Sequence, residues 1–205
     1  IPHQLADGGA RTDWDKWSGQ FERVAEIFQA RGSYEFEGCP REATIRTEGN
    51  MLWDALAKGV RIGIIASSDH GQTHEARAGV YVPASDGFTR RGILKALYDR
   101  RAFGATVQAA LQVSVAGRAL GEEVETEGAP SVKALVVAPA PIRRLEVVRD
   151  GAFVYSIEPN QARAEIMYSD VDLKPGASAY YYVRALIGEN DIAWSSPVWV
   201  TRKQD

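Results

Sequence analysis

The sequence contains a single cysteine, Cys39, in 205 residues. An intramolecular disulfide framework is therefore excluded, and the redox compartment stays open. No apolar run approaches the ~20 residues that a membrane helix needs, so no membrane span is expected. A basic-then-apolar leader is also missing; the chain opens on Ile1 and reads as the middle of a longer polypeptide. A periplasmic or secreted parent is compatible with that reading. Excess positive charge is absent: the formal charge is -3 and the pI about 5.7. No Lys/Arg cluster tracks along one segment either, so nucleic acid is not an expected partner. Internal repeats and low-complexity tracts are lacking. Histidine is scarce, with only three in the chain, and two of these, His70 and His74, fall within five positions.

What remains is an ordinary globular composition, 45% hydrophobic and 25% charged, with enough apolar mass for a core. The length accommodates one large or two small domains. Up to about residue 104 the pattern alternates helix and strand. In "TDWDKWSGQFERVAEIF", Trp14, Trp17, Phe21, Val24 and Phe28 recur at spacings of three and four, one face of a helix with Asp13 as its cap. That stripe reads as a core-facing seam, and its tail "VAEIF" suits a short strand equally well. "EGNMLWDALAKG" predicts a helix burying Leu52, Ala55 and Leu56 and stopped by Gly59. "VRIGIIAS" is apolar on both faces, the mark of a parallel strand covered by helices. "TRRGILKALYDRRAFG" predicts a second helix capped by Thr89, with Ile93, Leu94 and Leu97 inward and Gly104 past its end.

From residue 105 the period changes to two. Strand-like runs are separated by Gly, Pro, Asn and Asp turns, as in a β-sandwich. "RDG" at 149–151 is a hairpin signal, and "VAPAPI" is the one Pro-rich connector. The expected architecture is therefore α/β over residues 1–104, followed by an antiparallel β-sandwich module over 105–205.

The apolar run "IGIIA" ends abruptly on Ser67, Ser68, Asp69 and His70, with His74 four positions on. Loops at the carboxyl ends of parallel strands are where catalytic groups gather. A carboxylate with imidazoles suits zinc, manganese or iron better than calcium. The same residues also serve as hydrogen-bonded turn residues capping a strand end.

The stretch "GIIASSDHGQTHEARAGVYVPASDGFTRRGILKALYDRRAFGAT", a "VVRDG" strand and the closing "YYYVRALIGENDIAWSSPVWV" together resemble the carboxyl half of the DUF3604 family. That family is similar to the PHP metal-dependent phosphoesterases. The resemblance implies a partial distorted β/α barrel, PHP-like, holding two or three divalent metal ions (zinc, manganese or iron), where metal-activated water attacks a small phosphoester. It matches His3 of "PH" to a late histidine ligand and the SSDH turn to an Asp/His ligand pair. "EIFQARGSYE" adds Glu26 and Glu35 as further metal candidates. Two departures stand out. The family's Asp-x-His turn would place its histidine at Gly71, which leaves His70 or His74 to take the role. The early His-x-His pair has no counterpart, so the chain carries about half a metal site.

Three readings follow: the carboxyl-terminal portion of a metal-dependent phosphoesterase-like hydrolase, inactive alone; a β-sandwich binding module gripping a glycan or protein through Tyr180, Tyr181, Tyr182 and Trp194; or a structural role for the polar turn. Arg77, Arg90, Arg91, Arg100 and Arg101 flank the turn in sequence and could meet a phosphate. An unclosed parallel sheet leaves strand edges open, so the expected partner is the missing amino-terminal half of the same protein, or a second copy. Light scattering on the isolated chain should show self-association; a monodisperse monomer that melts cooperatively would count against it.

Overall fold

A computed structural model describes residues 1–70, 74 and 76–204. Among them are two α-helices, α1 (Leu52–Ala57) and α2 (Arg90–Tyr98), and fourteen strands. A small sheet has the order β2-β1-β3, from β1 (Val24–Gln29), β2 (Gly32–Ser33) and β3 (Gly63–Ala66). The large sheet collects β4 (Arg77–Val80), β5 (Ala102–Ala105), β6 (Ala110–Val115), β7 (Arg118–Ala119), β8 (Glu123–Thr126), β9 (Ser131–Arg149) and β10 (Ala152–Ile157). It is completed by β11 (Gln161–Ser169), β12 (Ser178–Ile187), β13 (Asp191–Ser195) and β14 (Val198–Arg202). Its main path runs β4-β5-β13-β12-β9-β6-β7.

This sheet curls into a β-sandwich-like module, and β9 is the strand that makes it curl. Its first part pairs with β6 and β11, its last part with β12 and β10. Pro139 and Pro141 sit at the switch, where β9 changes neighbours. Proline has no N–H to lose from a ladder, so the stretch expected to be a connector runs through as strand. A register shift opposite Ile187 makes Arg143 a bulge residue. It moves the inward set from Val132, Ala134, Val136 and Ala138 to Leu145 and Val147. The Asp150–Gly151 turn is a tight hairpin with both residues at positive φ, 48 and 74°, and Arg149 pairs with Ala152 across it.

The expected α/β barrel is not what forms. β3 is a parallel strand, as its apolar run implied, and pairs with β1, but the sheet stops at three strands. The chain then crosses into the large sheet, where β4 pairs antiparallel with β5. Apolar residues on both faces of a strand require cover, not necessarily helices. Here Ala25, Ile27 and Ile64 pack on Tyr180, Tyr182 and Trp194 of β12 and β13, while Val24 and Ile65 on the other face meet Ala102 and Leu97. A sheet thus replaces the ring of helices. The two sheets lie close where β5 passes β3: a Cβ at Gly104 would stand 2.8 Å from the Ala66 nitrogen. Gly104, expected as a helix stop, is a strand residue chosen for that approach, and the expected boundary at residue 104 falls inside β5.

Local readings fare unevenly. α1 buries Leu52, Ala55 and Leu56, and Asp54 accepts from the Met51 N–H at 2.8 Å. Thr89 caps α2 through the Gly92 N–H at 3.1 Å, but the buried residues of that helix are Gly92 and Ala96, and Leu94 is exposed. The aromatic stripe of residues 14–28 is not one helix: a 3-10 turn spans Trp14–Lys16, and "VAEIF" lies in β1. Gly19 interrupts it at φ +68°. Trp14 is 4% exposed and Phe21 78%. Urea denaturation should therefore show Trp14→Ala costing ~3–5 kcal/mol and Phe21→Ser within about 0.5 kcal/mol of wild type; equal losses would restore the helical seam.

Candidate functional site

The polar end of the parallel pair is assembled from three separate segments. The Glu26 N–H donates to the Pro2 carbonyl at 3.1 Å, which lays residues 1–4 alongside β1. His3 thereby comes to Glu26, whose Oε2 meets His3 Nδ1 and whose Oε1 accepts from the Ser67 hydroxyl. The pairing of β1 with β3 shifts register between Glu26 and Phe28, a bulge of the kind that re-aims side chains beside functional sites. Beyond the end of β3, Asp69 takes φ +65°, a left-handed conformation that aspartate tolerates better than most residues. Its Oδ1 accepts from the His70 N–H at 2.7 Å and stands 3.8 Å from both His3 Nε2 and His70 Nε2. Arg31 reaches Asp69 Oδ2 at 3.5 Å.

Four of the six residues proposed from sequence therefore converge: His3, Glu26, Asp69 and His70. Their side chains differ in access, with Glu26 7%, Asp69 9%, His3 44% and His70 93% exposed. The His70 N–H bond, with the Arg31 guanidinium and the neighbouring imidazoles, holds the Asp69 carboxyl below its ordinary pKa. His74 is an exposed bend residue farther along, and the position of the family's second ligand, Gly71, lies outside the described residues. Ser67 and Arg31 were not singled out as site residues; the polar SSDH turn contained the first, while no local signal marks the second.

In donor chemistry the cluster fits a divalent ion: two imidazoles and two carboxylates. A tetrahedral ion with bonds of ~2.0–2.1 Å sets its donors roughly 3.4 Å apart, close to the 3.8 Å gaps around Asp69 Oδ1. As they stand, the side chains satisfy one another, and among the described residues no group of three or more His, Cys, Asp or Glu is arranged to hold an ion.

Glu35 belongs elsewhere. It is fully buried between the small sheet and the module, where Arg184 donates to its Oε2 at 2.9 Å and the Tyr182 hydroxyl to its Oε1 at 2.5 Å. Arg184 also donates to Glu146 at 2.7 Å, and Trp53 Nε1 donates to the Tyr182 oxygen at 2.6 Å. Burial outweighs Arg184 and the hydrogen bonds, so the Glu35 pKa is raised. Tyr180, Tyr181, Tyr182 and Trp194, proposed as a binding surface, are all buried. Arg100 and Arg101 are held by Glu123 and Glu122 rather than by the SSDH turn.

No family model matches the sequence. Curated relatives are uncharacterized proteins of Chlamydia muridarum, Chlamydia pneumoniae and Chlamydia trachomatis, each 26% identical over 98% of this chain. The chain spans 38% of the length of each of these relatives. Among solved structures, fibronectin(III)-like modules of Clostridium thermocellum CbhA overlap 43% of this chain and 94% of theirs, at 18% identity and TM-score 0.30. A lytic polysaccharide monooxygenase of Jonesia denitrificans overlaps 39% of this chain and 57% of its own, at 16% identity and TM-score 0.28. Overlaps this loose add nothing about activity. Among the described residues, no helix is long and apolar enough to cross a membrane.

The Glu35 network makes a prediction with a definite sign. A carboxyl whose pKa is higher folded than unfolded binds more protons when folded, so its contribution to stability falls as pH rises from the ordinary value of 4.5. Glu35→Gln should flatten that decline in urea denaturation run at a series of pH values. Arg184→Met, which leaves two buried carboxylates together, should cost ~3–5 kcal/mol.

Proposed function

We propose that the strand-end cluster is one wall of a divalent-cation site in a longer hydrolase, with His3, Glu26, Asp69 and His70 as its donors. The observation that carries this reading is convergence: residues from three separate segments, two named by local polarity and two by the resemblance, lie within ion-pair reach beside the parallel strand pair. Glu26 and Asp69, the two little-exposed carboxylates, supply the charge. The two imidazoles supply the borderline-soft donors that suit zinc, manganese or iron. Ser67 holds Glu26 in place, and Arg31 neutralises Asp69 from outside.

A divalent ion bound there would acidify a coordinated water and clamp phosphoryl oxygens. The resemblance to the DUF3604 family supports a phosphoester substrate and a site of two or three ions, with further donors coming from the longer protein. This chain's residues would hold the ion and orient its ligands. The β module would carry no chemistry and would serve to cover one face of the small sheet.

A second reading, a binding module, is favoured by an aromatic shelf at the surface: Phe36 and Trp53 stack at 4.1 Å, with Phe153 against them at 5.9 and 5.6 Å.

Calorimetric titration of zinc and manganese into the chelator-treated chain, with elemental mass spectrometry of the loaded protein, separates the two. Metal should bind the wild type and Glu35→Gln alike. Asp69→Ala and His3→Ala should each lose more than the roughly 10–100-fold that removal of an outer partner costs. Equal binding by all four proteins, or by none, would overturn the cation site.

A further inference from the structure

Beside the aromatic shelf, and built from elements other than those of the cation cluster, opens a cleft of about 600 Å³. Phe36 and Trp53 form its apolar side, and Glu37, Arg46, Glu48 and Asp54 its polar rim. We propose that this cleft binds a neutral saccharide, whose ring would lie against the shelf while its hydroxyls donate to the rim carboxylates. The proposal rests on the binding-module reading, to which it adds a ligand class and a place.

Three observations carry it. First, the shelf is rigid. The Trp53 indole N–H is tied inward to Tyr182, Tyr182 to Glu35, and Glu35 to Arg184, whose guanidinium lies 4.3 Å from the Phe153 ring centre and 5.5 Å from that of Phe36. Every polar atom of this support is bound from below, so Trp53 offers the cleft its hydrocarbon surface, and little side-chain entropy is lost on binding.

Second, the rim selects against other ligands. Three carboxylates face one arginine, and Arg46 is already shared with Glu37 at 3.8 Å and with Glu42 at 2.9 Å. Phosphate, nucleotides and anionic lipids would be repelled. A wholly apolar chain would strip water from the carboxylates without replacing its hydrogen bonds. The buried Arg184 already lies against the rings of Phe36 and Phe153 from within, so these faces are partly engaged before any ligand arrives.

Third, the two lining characters match a sugar. A pyranose presents an apolar C–H face to an aromatic ring and a belt of O–H donors to acceptors, and carboxylates accept without needing a proton of their own. An open cleft with an aromatic side and a few convergent polar groups is the usual form of a small-ligand site.

The test is NMR and calorimetric titration of the intact chain with neutral hexasaccharides of glucose, N-acetylglucosamine and mannose, alongside spermidine and a basic peptide. At least one saccharide should bind with a dissociation constant of roughly 0.1–1 mM. Phe36→Ala should weaken it more than ~10-fold, and the surface change Glu48→Gln by ~3–10-fold, since a charged hydrogen bond is lost. Tyr155→Ala, in a separate pair where Tyr155 stacks on Tyr168 at 4.9 Å, should leave binding unchanged. Circular dichroism and melting confirm that each variant is folded, with Glu48→Gln as the substitution least able to disturb the core. Absence of saccharide binding below about 10 mM would overturn the proposal. Saccharide binding indifferent to Phe36 and Glu48 would remove this cleft while leaving the binding-module reading in place. Saturable binding of spermidine or the peptide at the shelf would replace the ligand class.

Discussion

Strand β12 has no solvent face, and the rest of the fold follows from that constraint. Its odd residues, Tyr181 and Val183, enter the core of the β module, while Tyr180 and Tyr182 enter the core shared with the small sheet. A strand covered twice must place its polar atoms with care. Arg184 is buried on the second face, so it needs Glu35 from the amino-terminal part and Glu146 from β9. Burial disfavours the charged form of Glu35 by more than Arg184 and the hydrogen bonds favour it, and the raised pKa of Glu35 is the consequence. The same ion pairs tie the small sheet to the module in one register, because a shift of one residue would leave both acids unpaired.

The candidate cation cluster depends on this arrangement indirectly. The module covers one face of β1 and β3 with Tyr180, Tyr182 and Trp194, which directs the polar residues of the pair, Glu26 and the SSDH turn, away from that interface. The backbone bond from Glu26 to Pro2 then adds His3. Here one curled sheet, rather than the helices of a barrel, supports that juxtaposition.

Much of the candidate site was legible in the residues. A run apolar on both faces that breaks into Ser, Asp and His has few local reasons to do so, and Asp69 and His70 were found that way. His3 and Glu26 came through resemblance alone, since neither has a local pattern. Glu35 was drawn into the same set and belongs to the Arg184 network, because a carboxylate in a short polar segment shows its type and not its partner. Arg31 escaped notice for the converse reason: its role exists only where the β1–β2 turn approaches Asp69.

By itself the sequence determined local features: the doubly apolar strand β3, the Gly59 stop of α1, the Thr89 cap of α2 and the Asp150–Gly151 hairpin. These depend on side-chain alternation and backbone sterics over a few residues, and distant contacts do not alter them. The tertiary structure alone decided what covers each apolar face. "VRIGIIAS" is equally content beneath helices or beneath a sheet, because burial rewards removal from water and is indifferent to the partner's backbone. For that reason the expected barrel became a three-stranded sheet laid on a β module, and residues 3, 26, 69 and 70 met at its edge.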